Sequence, residues 1–214
     1  MFFGLDVSRL EPMQVVHLGF VMSSALYMVA NIYYWIRARM SNPVTGDYAG
    51  DYNLAGQYHG QGQLKISTGD SYTGQFYNGQ FQGRGEYSFA SGVTIAGRFV
   101  RGLVTGAGSE TYPSGAWFRG CFDGSRREGA GTLSGDAASR WVVSTCAFRR
   151  GRRDGAGVEW LRDGSRRECS FVEGRLHGPA LLHLPSGAVV NERWDHGRRL
   201  DDGTATATGA AAQF

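Results

Sequence analysis

Between Tyr48 and about Leu200 one short pattern is written seven times. Its clearest copy runs Tyr72-Thr73-Gly74-Gln75-Phe76-Tyr77-Asn78-Gly79-Gln80-Phe81-Gln82-Gly83-Arg84-Gly85, and Gly92 follows seven residues later. The copies start at Tyr48, Tyr72, Ile95, Phe118, Ser144, Arg167 and Val190, so the intervals are 24, 23, 23, 26, 23 and 23 residues. A period this constant signals a repeat architecture in which each copy is one supersecondary unit stacked on the next.

Counting the first residue of a copy as position 0, positions 0, 2 and 4 share one face of a strand and positions 1 and 3 the other. Position 4 is aromatic in every copy: Tyr52, Phe76, Phe99, Phe122, Phe148, Phe171 and Trp194. The opposite face reads Thr73 and Gln75, Ala96 and Arg98, Arg119 and Cys121, Asn191 and Arg193. That alternation predicts half-buried antiparallel strands. Glycine between two rings lets them fold down over bare backbone. A second apolar pair, seen in Leu64 and Ile66, Tyr87 and Phe89, Leu182 and Leu184, predicts the return strand of a hairpin opened by Gly-x-Gly. Turn residues close each return, as in Ser91-Gly92, Asp163-Gly164 and Pro185-Ser186-Gly187.

These residues resemble the MORN repeat, Y-x-G-x-[FWY]-x-x-G-x-x-x-G-x-G over about 23 residues. The match is close in Tyr72–Gly92 and Ile95–Gly115. It weakens later, where the first aromatic becomes Ser144, Arg167 and Val190 and its glycine becomes Cys146, Cys169 and Glu192. The resemblance implies a mainly β fold, a single-layer elongated antiparallel sheet of about seven hairpins. At two strands per copy it extends on the order of 65 Å. A single layer has little two-sided core, so the aromatic face is expected to need a cover and to serve as a binding surface.

Residues 13–36 carry no charge, and as a helix they span about 36 Å, enough for the hydrocarbon layer. Tyr33, Tyr34 and Trp35 sit where an interfacial belt belongs, with Arg37 and Arg39 next. A transmembrane helix is expected at 13–39, after an N-terminal segment at 1–12. Asp6, Arg9 and Glu11 argue against a cleaved signal, and the apolar residues surround the axis, which argues against a soluble amphipathic helix. His17, Gly19, Ser23 and Asn31 are expected to contact protein within the membrane, with His17 a hydrogen-bonded structural residue. The arginine bias leans the repeats toward the cytoplasm or matrix. A linker at 40–47 leads to the array at 48–203, and a low-complexity tail occupies 204–214.

Residues 41–117 hold four basic and five acidic residues, whereas 118–200 hold fifteen arginines against ten acids. Positions 8 and 9 hold Arg126 and Arg127, Arg152 and Arg153, Arg175 and Leu176, Arg198 and Arg199. Stacked in register just past each hairpin turn, these arginines are expected to line one edge of the ribbon, joined by Arg149 and Arg150. Two readings stay open: a docking ridge for acidic protein or lipid head groups, and a solvated edge neutralised by Glu128, Asp154 and Asp195. Nucleic acid is not expected, because that edge lacks interleaved stacking aromatics.

Cys146 and Cys169 share a position in adjacent copies, nearly 10 Å apart and beyond disulfide reach. Free thiols fit a reducing compartment. His59, His177, His183 and His196 fall at different positions, and neither a metal nor another cofactor is expected. The Gly-x-Gly pairs recur at repeat spacing, so they are not nucleotide loops. With no catalytic constellation and no small-molecule substrate in view, the expectation is a non-catalytic accessory subunit or scaffold of a large membrane complex. Its partners are other subunits and membrane lipids, and its expected home is the mitochondrial inner membrane, with another endomembrane or the plasma membrane as the alternative. A membrane-contact tether or phosphoinositide-binding module is the rival reading.

Overall fold

The computed structural model of the protein describes residues 46–200. The helix expected at residues 13–39, with His17, Gly19, Ser23 and Asn31, and the tail at 204–214 lie outside the described residues. Among the described residues no helix is long and apolar enough to cross a membrane.

The described chain is one open antiparallel meander of fifteen strands. In each of the first five copies a strand is followed by a longer return. The first hairpin pairs β1 (Gly46–Tyr52) with β2 (Tyr58–Ile66), and the next pairs β3 (Ser71–Tyr77) with β4 (Gln80–Ser88). Then come β5 (Thr94–Val100) with β6 (Leu103–Thr111), β7 (Trp117–Asp123) with β8 (Arg126–Ser134), and β9 (Trp141–Arg149) with β10 (Arg152–Leu161). In the sixth copy β11 (Arg166–Val172) pairs with a broken return, β12 (Arg175–Leu176) and β13 (Gly178–His183). The seventh is β14 (Val189–Asp195) with the two-residue β15 (Arg198–Arg199).

Two-residue turns close the second to seventh hairpins, and both residues of each have positive φ, as in Asn78 (49°) and Gly79 (79°). This type I′ geometry matches strand twist. At the fourth hairpin Ser125 replaces the expected glycine at φ 66°, and its Oγ accepts the Val104 N–H at 3.0 Å. The residue that strains the turn thereby satisfies a buried donor.

The return strand starts earlier than the sequence implies. It opens at position 8, and Gly-x-Gly sits in its middle. The first glycine of the pair, Gly83 in the second copy, has φ 66° beside a slip in register between Gly74 and Phe76. Such a bulge bends the strand and increases its coil. The second glycine joins a file that crosses the sheet from strand to strand: Gly62, Gly74, Gly85, Gly97, Gly108, Gly120, Gly131, Cys146, Gly157 and Cys169 stand opposite one another in turn.

The rings lie down on this file. A Cβ on Gly85 would stand 2.5 Å from Tyr72 Cζ, and one on Gly131 2.5 Å from Phe118 Cε2. The ring at position 0 meets the position-4 ring of the following copy edge-on, at 5.0 Å for Tyr48 and Phe76, Tyr72 and Phe99, and Phe118 and Phe148. Each T-shaped pair adds about 0.5–1.5 kcal/mol beyond the area it buries.

The expectation of an aromatic face needing a separate cover is therefore corrected. Phe76, Phe99, Phe122, Phe148 and Phe171 are only 1–3% exposed, because the bulged strands curl their rings against neighbouring copies. Only the ends differ, with Tyr52 57% exposed at the first hairpin and Trp194 half-buried at the last.

Candidate functional site

Because the return strand opens at position 8, positions 8 and 9 point to opposite faces. Position 9 turns inward: Phe81 and Val104 hold it in the second and third copies and are buried. Arg127 holds it in the fourth, also buried, and Arg153 in the fifth, with its side chain 18% exposed. The expected edge of paired arginines is corrected at these two residues, which belong to the core face, and at Arg199, which occupies the same position.

Inward carboxylates meet them. Arg127 donates through Nε to Glu110 Oε2 at 2.9 Å, with a second, shorter contact from Nη2, and Tyr112 donates its hydroxyl to the same oxygen at 2.7 Å. Burial, then the Glu110 charge, raises the Tyr112 pKa. Farther along, Arg153 Nη1 donates to Glu159 Oε1 at 2.8 Å, and Arg167 donates to Glu159 Oε2 at 2.9 Å and to Glu192 Oε2 at 2.7 Å. Arg199 Nη1 lies 3.2 Å from Glu192 Oε1, and Trp194 Nε1 donates to Glu192 Oε2 at 3.0 Å. Burial opposes the Arg167 charge, but its bonds to Glu192 and Glu159 outweigh that and raise its pKa. A ladder of ion pairs thus continues the core where the aromatics run out. Glu110 and Glu159 escaped the sequence reading, which met Arg167 and Glu192 only as departures from the repeat pattern, although all four fall at inward positions.

The outward residues form the candidate docking edge. Arg149, Arg150, Arg175 and Arg198 are exposed, and Arg126 and Arg152 are half-buried. The centre of this edge is the fifth hairpin, where Arg149 and Arg152 face each other across the turn and Arg150 occupies it. Like charges directly opposite on a sheet are destabilising. Two of the carboxylates expected to neutralise the edge are engaged otherwise. Glu128 accepts the backbone N–H of Arg150 at 2.8 Å, and Asp195 lies 2.7 Å from His196 Nδ1. Arg152 reaches Glu173 at 3.7 Å, a solvent-exposed contact.

The three cysteines are free, with Cys121 exposed and the other two in the glycine file. Burial pushes the Cys146 thiol up to about 11 and the Cys169 thiol up to about 12.

An open antiparallel meander of hairpins with type I′ turns, a glycine file and rings laid over it defines a class of β-hairpin repeat proteins. The MORN repeat family model matches residues 48–71, 72–94, 96–117, 147–166 and 170–189, half of the chain, and the protein belongs to that family. The fourth and seventh copies, at Phe118 and Val190, fall outside the matched spans yet keep their strands. No curated protein matches the chain. Among solved structures, the TCP10 domain of Danio rerio CPAP is 15% identical, with 68% of each chain covered and a TM-score of 0.41. The TCP domain of Drosophila melanogaster SAS-4 (dCPAP), solved with a proline-rich motif of Ana2 (dSTIL), is 12% identical, with 68% of this chain and 77% of that chain covered and a TM-score of 0.30. The TCP10c domain of Drosophila melanogaster Sas-4 is 13% identical, with 68% and 98% covered and a TM-score of 0.25.

Proposed function

We propose that the protein is a non-catalytic structural subunit of a large membrane assembly, in which the turn edge of the MORN ribbon docks an acidic surface of a neighbouring subunit. The observation that carries this reading is the outward cluster Arg149, Arg150 and Arg152 at one hairpin. Like charges set against each other weaken the isolated sheet and are relieved by an acidic partner. The apolar segment at 13–36 supplies the membrane attachment in this reading, and the mitochondrial inner membrane is its compartment. Native gel electrophoresis after mild detergent extraction tests it. A stoichiometric high-mass assembly supports the subunit role, and a chain migrating alone counts against it.

The same cluster favours a second reading, a tether that grips phosphoinositide head groups, since guanidinium groups pair with phosphate oxygens bidentately. Vesicles with and without phosphoinositide separate the two. Binding that requires that lipid and is lost on changing Arg149, Arg150 and Arg152 to alanine favours the tether.

A further inference from the structure

One cluster belongs neither to the core ladder nor to the arginine edge. His177, Asp195 and His196 each offer one ligand atom, and all three atoms lie within 4.8 Å of one another. The sequence separates these histidines by copy and position, but the sheet sets position 10 of one copy beside positions 5 and 6 of the next. That contact recurs along the ribbon. Gln82 Oε1 accepts the Arg101 N–H at 3.1 Å and Glu128 Oε2 the Arg150 N–H at 2.8 Å. At the last turn His177 Nδ1 accepts the His196 N–H at 3.4 Å, a longer bond that a metal ion could displace at little cost.

We propose that His177, Asp195 and His196 form a binding site for a divalent transition-metal ion of the zinc class. Two imidazoles and a carboxylate are a donor set that zinc accepts, whereas calcium and magnesium prefer oxygen alone. Three protein ligands leave a fourth position open to water. Tetrahedral coordination with bonds of about 2.0–2.1 Å separates its ligand atoms by about 3.3 Å. Asp195 Oδ1 stands 2.7 Å from His196 Nδ1 and 3.4 Å from His177 Nδ1, and the two imidazole donors lie within 4.8 Å of each other, so admitting the ion requires the first pair to open slightly and the rings to adjust around it. The two rings are 4.7 Å apart and steeply inclined, as ligands approaching from different sides would be. Arg198, opposite Asp195 across the turn, opposes the cation and keeps its affinity modest. Since β15 is only two residues long, an ion joining the sixth and seventh copies clasps the end of the ribbon.

The repeat supplies the variants for the test. His177→Gln puts the Gln82 amide where it already serves in the second copy, and His196→Asn puts Asn78's residue type at the same positive-φ turn position. Zinc is titrated into the full chain by calorimetry, with cobalt as a spectroscopic probe. The expected result is one equivalent bound, visible cobalt bands from a nitrogen-and-oxygen site, and a melting temperature raised by zinc and restored by chelator. Each variant weakens binding at least about ten-fold while its melt in chelator matches the parent chain. The His59→Gln control, remote from the cluster, binds as the parent does. No saturable binding below roughly 100 µM zinc, or binding that survives both variants, overturns the proposal.

Discussion

The guanidinium of Arg127 lies over the ring of Phe118, 4.3 Å from its centroid. Two copies earlier the same positions hold Phe81 and Tyr72, whose rings stack at 4.0 Å. Arginine can replace an aromatic there because its planar cation is attracted to a ring face while its donors turn to Glu110. Arg153, whose own copy begins with Ser144, lies instead over Phe171, the position-4 ring of the next copy, 4.0 Å from the centroid, with Glu159 as its acceptor. The late copies depart from the MORN pattern in complementary ways, and the departures meet in space.

Breaking the buried pair by Glu110→Gln or Arg127→Met destabilises the fold by about 3–5 kcal/mol, since either change strands a buried partner. Combining Glu110→Leu with Arg127→Phe instead restores the residues found at the equivalent positions in Leu64 and Phe81, both buried. The double variant is expected to match or exceed the parent's stability. Urea unfolding of all four chains checks both signs.

Glycines in the file are fixed by contact, and glycines in the turns by φ. Gly85→Ala drives a methyl into the Tyr72 ring and costs about 2–3 kcal/mol. Gly79→Ala meets no atom within 4 Å and suffers only its positive φ, so it costs about 1 kcal/mol. Adding Tyr72→Ala to Gly85→Ala costs less than the sum of the single changes, because both act on one contact. Thermal melts distinguish the two classes.

Of the three thiols, Cys121 alone is expected to react with a disulfide reagent at pH 8 in the folded protein, and all three after denaturation. Cys146 and Cys169 are buried, with their thiols pushed up to about 11 and 12 from an ordinary 9.0. Folded values above the unfolded ones stabilise the fold fully below pH 9, and that contribution disappears as pH rises through about 9–12. Replacing both cysteines by alanine flattens this alkaline loss, as measured by unfolding at a series of pH values. Tyr72, its pKa raised by burial, keeps part of the slope.

The seven copies, the alternation of Tyr72, Thr73, Gly74, Gln75 and Phe76 and the positive-φ turns were all legible in the sequence, because strand parity and turn chemistry are local. The inward direction of Arg127 and Arg153 was not legible, because Gly-x-Gly reads as the start of the return strand. The return strands of the fourth and fifth copies start at Arg126 and Arg152, three residues before Gly129 and Gly155, so the paired arginines alternate between the two faces instead of sharing one edge. The coverage of Phe76 and Phe99 was not legible, since it depends on curvature produced by bulges at Gly83 and its counterparts. Nor was the ladder, because Arg167 finds Glu159 and Glu192 across different copies. The same non-local adjacency brings His177 to His196.

In the proposed function outward arginines dock a partner while inward arginines hold the fold. This division of roles is tested by comparing the native-gel migration of the parent chain, extracted in mild detergent, with that of a variant in which Arg149, Arg150 and Arg152 are all changed to glutamate. The triple variant is expected to leave the high-mass assembly while its thermal melt stays at or above the parent's. A triple variant that remains in the assembly would contradict it.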